Sequence, residues 1–501
     1  ACQQNKGMAG FALESAFLHS IISMSLLPVL RRASAVAFLF LGAGAAQASV
    51  ALHLAVSTER EHTPGVSTSL PARETQDSDV VLGEQFISIR EGQSLTVLDF
   101  ATRRRHVVDT AAGTYASYSL FDAVGFRAIE LRHRQGIAGI LKAGGVAQHA
   151  PSPVYEEQAL SVPDGQRRGP LQPQVQEGTV LWSLEQQPLL NLAIAGSPVS
   201  DDVARTFAQY VRYTWGAHPL VLKMLAGGKR IPADFTLHYQ EVAGSVTRRL
   251  RVSGLNMDAP ATYSLAAYRP RPLTADAPAL ERVLAQAALL PPLGSQAHPA
   301  LRAEAEKQFA AEKPFDAFLT MLEDHFSTGA LVEKLSRQQQ LAMQACQPIH
   351  DLTRGLLAKD KEGITDALAT VQGLRQQHGQ GQPVLALFEG NLRAKLGQWP
   401  QATALYLQVL QAKPHMAAVY QDLGDALYAQ FDAPNAWRSW DAGRAMAPGL
   451  RQFRKINDLE RDLLRNYPDF FAGGTPLAPA DQPSTSRPAS RTKTVGSTNL
   501  P

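Results

Sequence analysis

Cys346 and His350 stand four residues apart in LAMQACQPIH, a spacing that places two metal-ligating side chains on one helical face. Two ligands do not complete a zinc site and no partners follow nearby, so the pair reads as packing, with Cys346 buried. Glu323, Asp324 and His325 gather three titratable groups, and this run reads as the wet side of a helix. LAGGKR (225–230) has the Gly-Gly-Lys of a phosphate loop. It lacks a glycine five residues before Gly228 and a Ser or Thr after Lys229. With no nucleophile elbow, zinc helix or paired-cysteine motif either, the expectation is a non-enzymatic protein with no catalytic residue, metal ligand or cofactor.

The residues that carry most information are spaced for packing. Gly390 and Gly424, Ala402 and Ala436, Tyr406 and Trp440, and Pro414 and Pro448 each coincide at a shift of 34 residues. At such a period the glycine and alanine let two helices of a pair cross closely, the aromatic fills the gap to the next pair, and the proline ends the second helix. Residues 383–450 therefore resemble two tetratricopeptide repeats. A degenerate copy upstream carries Gly355, Ala367 and Val371, and LRQFRKINDLERDLLRNYPDFF supplies a capping helix, giving an array over 349–470. Ala386 and Phe431 depart from the family pattern.

The resemblance implies a concave groove lined by the first helices, with partner-facing positions at Leu387, Asn391 and Lys395 and at Gln421, Asp425 and Tyr428. Leu387 replaces the lysine of a two-carboxylate clamp, so the implied partner is an extended or helical peptide of mixed polarity, or a protein that presents one.

These positions need a scaffold, and the chain divides into two textures. From Val80, β-branched runs (VVLGEQFISIR, SLTVLDF, RHVVDT) alternate with turn residues, and more follow at TVLWSL, LLNLAIAG, PLVLKML, ADFTLHYQEV, VTRRLRVSGL and ATYSLAAYRP. Two helices interrupt them, at 121–145 and from Asp201 to about Trp215, while 146–177 reads as a long loop. After RPRP (269–272) the text turns helical, with a start at Asp276, Pro278 and Glu281, a helical region over 275–345, and Phe315, Phe318, Leu319, Leu322 and Phe326 on one helical face.

The expected fold is α+β and multidomain. An antiparallel β-rich domain over 79–270, a curved sheet or half-barrel with two helices, precedes an α-helical tetratricopeptide-type solenoid. Separate cores would leave the junction near Pro270 open to proteolysis. Leu98 and Asp99 on one strand, followed by Thr114 and Tyr115, give ISIREGQSLTVLDFATRRRHVVDTAAGTY a resemblance to the lipoprotein-carrier-like half-barrels of the periplasm. That resemblance implies an alternative function, carriage of a lipid or other hydrophobic ligand on the sheet's concave face.

Charge narrows the partners and the leader narrows the compartment. Of 48 Lys and Arg and 45 Asp and Glu, residues 1–48 hold Lys6, Arg31, Arg32 and Glu14, which leaves 45 against 44. This near balance excludes a nucleic-acid binder, and Arg103, Arg104 and Arg105 read as a solvated hairpin turn. From Met24, Arg31 and Arg32 precede the apolar run ASAVAFLFLGAGA and an A-x-A site at Ala46 and Ala48, which predicts a signal peptide cleaved after Ala48. Its apolar core of roughly 13 residues is shorter than the ~20 that span a bilayer, so no stable transmembrane span is expected after cleavage. Location is expected in the periplasm or envelope, with 49–78 a linker and 471–501 a disordered tail.

Overall fold

The computed structural model describes residues 49–473 apart from 63–68, 145–151, 242–243, 260–261, 272, 275, 294–297, 331–334 and 380. The leader with its cleavage site, and the tail from 474 onward, lie outside the described residues.

The centre of the sheet comes from the stretch expected to be a linker. Strand β1 (Ser49–His62) alternates, with Val50, Leu52, Leu54 and Val56 buried at every second position. It pairs antiparallel with β2 (Arg73–Leu82) on one side and β13 (Gly244–Ala259) on the other. Its polar residues sit on the opposite face, which is why the segment reads as a lead-in by composition.

From β2 a meander continues through β3 (Phe86–Glu91), β4 (Ser94–Asp99), β5 (Arg104–Asp109) and β6 (Thr114–Ser119). From β13 the sheet continues through β12 (Asp234–Glu241), β9 (Gln187–Ala193), β8 (Thr179–Leu184) and β7 (Gln172–Gln176). A short β14 (Arg269–Pro270) runs parallel to β6 at the far edge, completing twelve strands among the described residues. Strands β10 (Gly196–Pro198) and β11 (Arg230–Pro232) form a separate ribbon.

Among the described residues four helices, rather than two, lie in this half: α1 (Leu120–Ala143), α2 (Pro153–Leu160), α3 (Asp201–Thr214) and α4 (Pro219–Gly227). PLVLKML, expected as a strand, is α4. The His218 ring caps its first turn by accepting from Leu220 N, and Pro219 presets its first φ. The supposed loop 146–177 contains α2 and β7. ATYSLAAYRP contributes to the sheet only through β14. The apolar face of the sheet is filled by these helices; Phe207 of α3, for example, meets Phe235 of β12 edge-on at 5.7 Å.

The C-terminal half is helical: α5 (Ala279–Leu289), α6 (Pro299–Ala310), α7 (Pro314–Thr328), α8 (Arg337–Gln344), then the pairs α9 (Gln347–Leu356) with α10 (Lys361–His378), α11 (Pro383–Lys395) with α12 (Trp399–Ala412), and α13 (Ala417–Ala429) with α14 (Ala433–Met446), and last α15 (Arg454–Asn466). Helices α11 and α13 begin 34 residues apart, as do α12 and α14. Helix α7 lies across the first helices of all three pairs, α9, α11 and α13. Its Glu323 is buried and bonds Lys413 at 2.8 Å and His415 at 3.1 Å, while Asp324 accepts from His298 N at 2.7 Å. That corrects the reading of Glu323 and Asp324 as a wet face: the helix packs on more than one side.

The two halves share one core, contrary to the expectation of separate ones. Trp437 of α14 sits over Gly125 of α1, where a Cβ would lie 2.6 Å from the indole. Arg104 bonds Asp441 at 2.6 Å and Arg105 meets buried Asp122 at 3.4 Å, so this arginine run is half-buried pairing rather than a solvated turn. Phe470, the last residue of the expected array, and Phe471, the first of the expected tail, are fully buried. Phe471 packs on Phe121 at 4.8 Å, and the Phe470 carbonyl accepts from Tyr213 Oη at 2.7 Å. Half-buried Arg127 donates to the carbonyls of Leu160, Arg212 and Tyr213 beneath the same Phe470 ring.

Candidate functional site

Each helix pair is built on the contact that its spacing predicts, with one difference. Gly390 faces the Tyr406 ring, where a Cβ would come within 2.7 Å, and Gly424 faces the Trp440 indole more closely still. The aromatics therefore close over the glycine of their own pair rather than filling the gap to the next. Ala402 and Ala436 are fully buried, and α12 and α14 end two residues before Pro414 and Pro448. In the upstream pair a Cβ on Gly355 would come within 2.9 Å of the Ala367 methyl, and Val371 is buried.

The positions expected to form an open groove are mostly enclosed. Leu387 has no exposed surface, and Asn391 and Gln421 are each 8% exposed. Asn391 accepts a hydrogen bond from Tyr406 Oη at 2.7 Å, which ties α11 to α12. Gln421 donates to the Asp425 carboxylate, and Trp440 Nε1 donates to Asp425 Oδ1 at 3.1 Å and to the Gln421 carbonyl at 3.2 Å. Tyr428 meets Trp437 edge-on and Trp440 at a tilt, each at 5.5 Å. Lys395 is half-buried, and desolvation lowers its pKa. Packing among the helices thus encloses Leu387, Asn391 and Gln421, and leaves Lys395, Asp425 and Tyr428 partly accessible.

Asp422 joins them, a residue that the spacing argument missed. It stands three positions before Asp425 on α13, so both carboxyls occupy one side of the helix. Burial, and then the neighbouring Asp425, raise Asp422 to about 8 against a weak opposing pull from Lys455. Burial raises Asp425 to about 7, while Lys455 and the bonds from Gln421 and Trp440 hold it lower than burial alone would. The pair also pushes up the already desolvated Tyr406 hydroxyl. Both carboxyls are thus held toward their protonated forms, in which each can donate a hydrogen bond. The signal in the sequence was QDLGDA, two acids at helical spacing inside an otherwise apolar helix.

Other polar clusters are structural. Buried His218 bonds Glu157 at 2.9 Å, and Arg168 and the Asp164 amide bond the same carboxylate, which locks α2 to α4. His350 bonds the Gln344 carbonyl at 2.6 Å, and Cys346, only partly buried, precedes α9 in the break after α8. Among the described residues no three His, Cys, Asp or Glu side chains gather as metal ligands, and no helix is long and apolar enough to cross a membrane. A cavity of about 550 Å³ opens at the β6–β14 edge, with polar Thr114, Arg269 and Glu281 and apolar Pro270, Leu273 and Ala277 among its lining. No family model and no curated protein sequence matches this chain.

Proposed function

We propose that this chain is an exported, non-enzymatic interaction protein of the bacterial envelope, whose helical half is a tetratricopeptide-type array that docks a protein or peptide partner. The observation that carries the reading is the Asp422–Asp425 pair. Two partly buried carboxyls with raised pKa values lie on the first helix of a stacked pair, the helix that also carries Tyr428. Such a pair is costly to the free protein and is relieved when a lysine or arginine side chain of a partner enters and takes up the charge. The 34-residue spacing of α11 and α13 and the closure of Tyr406 and Trp440 over Gly390 and Gly424 support the array. Export is supported by the sequence pattern alone, Arg31 and Arg32 before the apolar run ASAVAFLFLGAGA and the A-x-A site at Ala46 and Ala48.

Gentle purification of the full chain followed by mass spectrometry tests the reading. A co-purifying polypeptide whose capture is lost in D422N/D425N, together with a mature N-terminus at Ser49, is expected. A co-purifying lipid with no polypeptide would replace the scaffold by the hydrophobic-ligand carrier. An intact leader would remove the envelope.

A further inference from the structure

Helix α1 outlasts the body that it packs on. Its buried residues end at Leu131, and the remaining turns to Ala143 stand clear, with nothing within 4 Å of the Cβ positions of Gly136 and Gly139. This free end is not polar. Ile137 is 53% and Ile140 72% exposed, and Phe126, 42% exposed, lies on the same stripe at helical spacing. From Phe126 to Ile140 the stripe runs about 21 Å at the helical rise.

A second apolar finger joins it from the helical half. Phe431, in the turn between α13 and α14, is 46% exposed and holds a left-handed φ of 67°, and its ring meets His133 of α1 edge-on at 4.7 Å. A bulky side chain in that conformation is strained. Glycine would suit the turn better, so the exposed ring has no local structural reason.

Charge indicates what covers this edge. Between residues 131 and 144 there are three cations, Arg132, Arg134 and Lys142, and no acid. Arg134 is paired with Glu130 and with Glu156, each at 2.8 Å, which leaves Arg132 and Lys142 as the cations of this stretch outside that pairing. A second copy pairing on this face by two-fold symmetry would set these cations against themselves. A protruding apolar stripe flanked by cations fits a deformable anionic layer instead, with the isoleucines among the acyl chains and the cations at the headgroups. We propose that the free end of α1 and Phe431 form a docking edge for an anionic phospholipid surface. The proposal is independent of the partner groove.

Vesicle co-sedimentation of the full chain tests it, with phosphatidylglycerol and pure phosphatidylcholine vesicles as probes. Binding is expected to the former, to weaken at 0.5 M salt, a probe condition chosen to bring the screening length to roughly 4 Å, and to fall about tenfold in I137E/I140E. F431G is expected to lose binding several-fold while keeping or raising the melting temperature, because glycine suits the left-handed turn. The proposal is overturned if the wild-type chain ignores phosphatidylglycerol vesicles, or if both variants bind as it does. It is also overturned if ultracentrifugation shows self-association that I137E/I140E abolishes, which would assign the edge to a second copy.

Discussion

Asp422 should make the helical half lose stability as pH rises, and Asp422→Asn should remove that loss. A carboxyl held at about 8 rather than 3.8 favours the fold while protonated. Its contribution is fully present below the unfolded value near 4 and is lost as pH climbs through 8. At roughly 1.4 kcal/mol per pH unit, a site titrating alone would lose on the order of 6 kcal/mol. Asp422 keeps some contact with water and the chain relaxes around a charge, so about half of that, roughly 2–3 kcal/mol, is expected.

Urea denaturation at pH 5, 7 and 9, followed by tryptophan fluorescence, measures it, since Trp437 and Trp440 meet edge-on at 4.9 Å and Trp440 bonds the adjacent Asp425. The variant should be the more stable protein at pH 9, by about 2–3 kcal/mol, with the difference shrinking steadily toward pH 4. Equal pH slopes for the two proteins, or a variant less stable at pH 9, would refute the argument that burial and a like charge hold this carboxyl protonated.

Gly424→Ala forces a Cβ into the Trp440 indole and should cost about 1–3 kcal/mol by denaturant titration, part of it recovered in a Trp440→Leu background. Glu389→Gln strips buried Arg375 of its counter-charge and should cost roughly 2–4 kcal/mol at pH 7. Although burial opposes ionisation of Glu389, bonds from Arg393, Arg375 and Gln372 hold its carboxyl below 4.5. The stability it contributes is present above 4.5 and lost as pH falls through the folded value, so the variant's deficit should fade in acid denaturation profiles. Limited proteolysis should leave the stretch near Pro270 intact in the wild-type chain and open it in F470A/F471A, which removes two buried rings that hold the C-terminus to α1 and α3.

Local pattern was enough for the order of the two halves. The shift from β-branched alternation to Ala-Leu-Gln-Glu text near residue 270 marks where sheet gives way to helices, because period 2 and period 3.6 are properties of the chain itself. The glycine, alanine and proline positions of the helix pairs were legible for the same reason: each answers to a contact within about twenty residues.

What failed to show depended on distant chain. Ser49–His62 looked like a linker because its polar residues alternate with apolar ones that are buried only once β2, β13 and the covering helices arrive. PLVLKML has the composition of a strand, and the cap from His218 together with Pro219 makes it a helix. Leu387, Asn391 and Gln421 sat at groove positions by register, yet whether a register position meets solvent depends on how the pairs stack on one another, and here their own neighbours enclose them. Asp422 is an ordinary acid in sequence. Only the desolvation and like charge that the packed array imposes on it give that carboxyl a pKa near neutrality, since solvation belongs to the assembled fold and not to the order of residues.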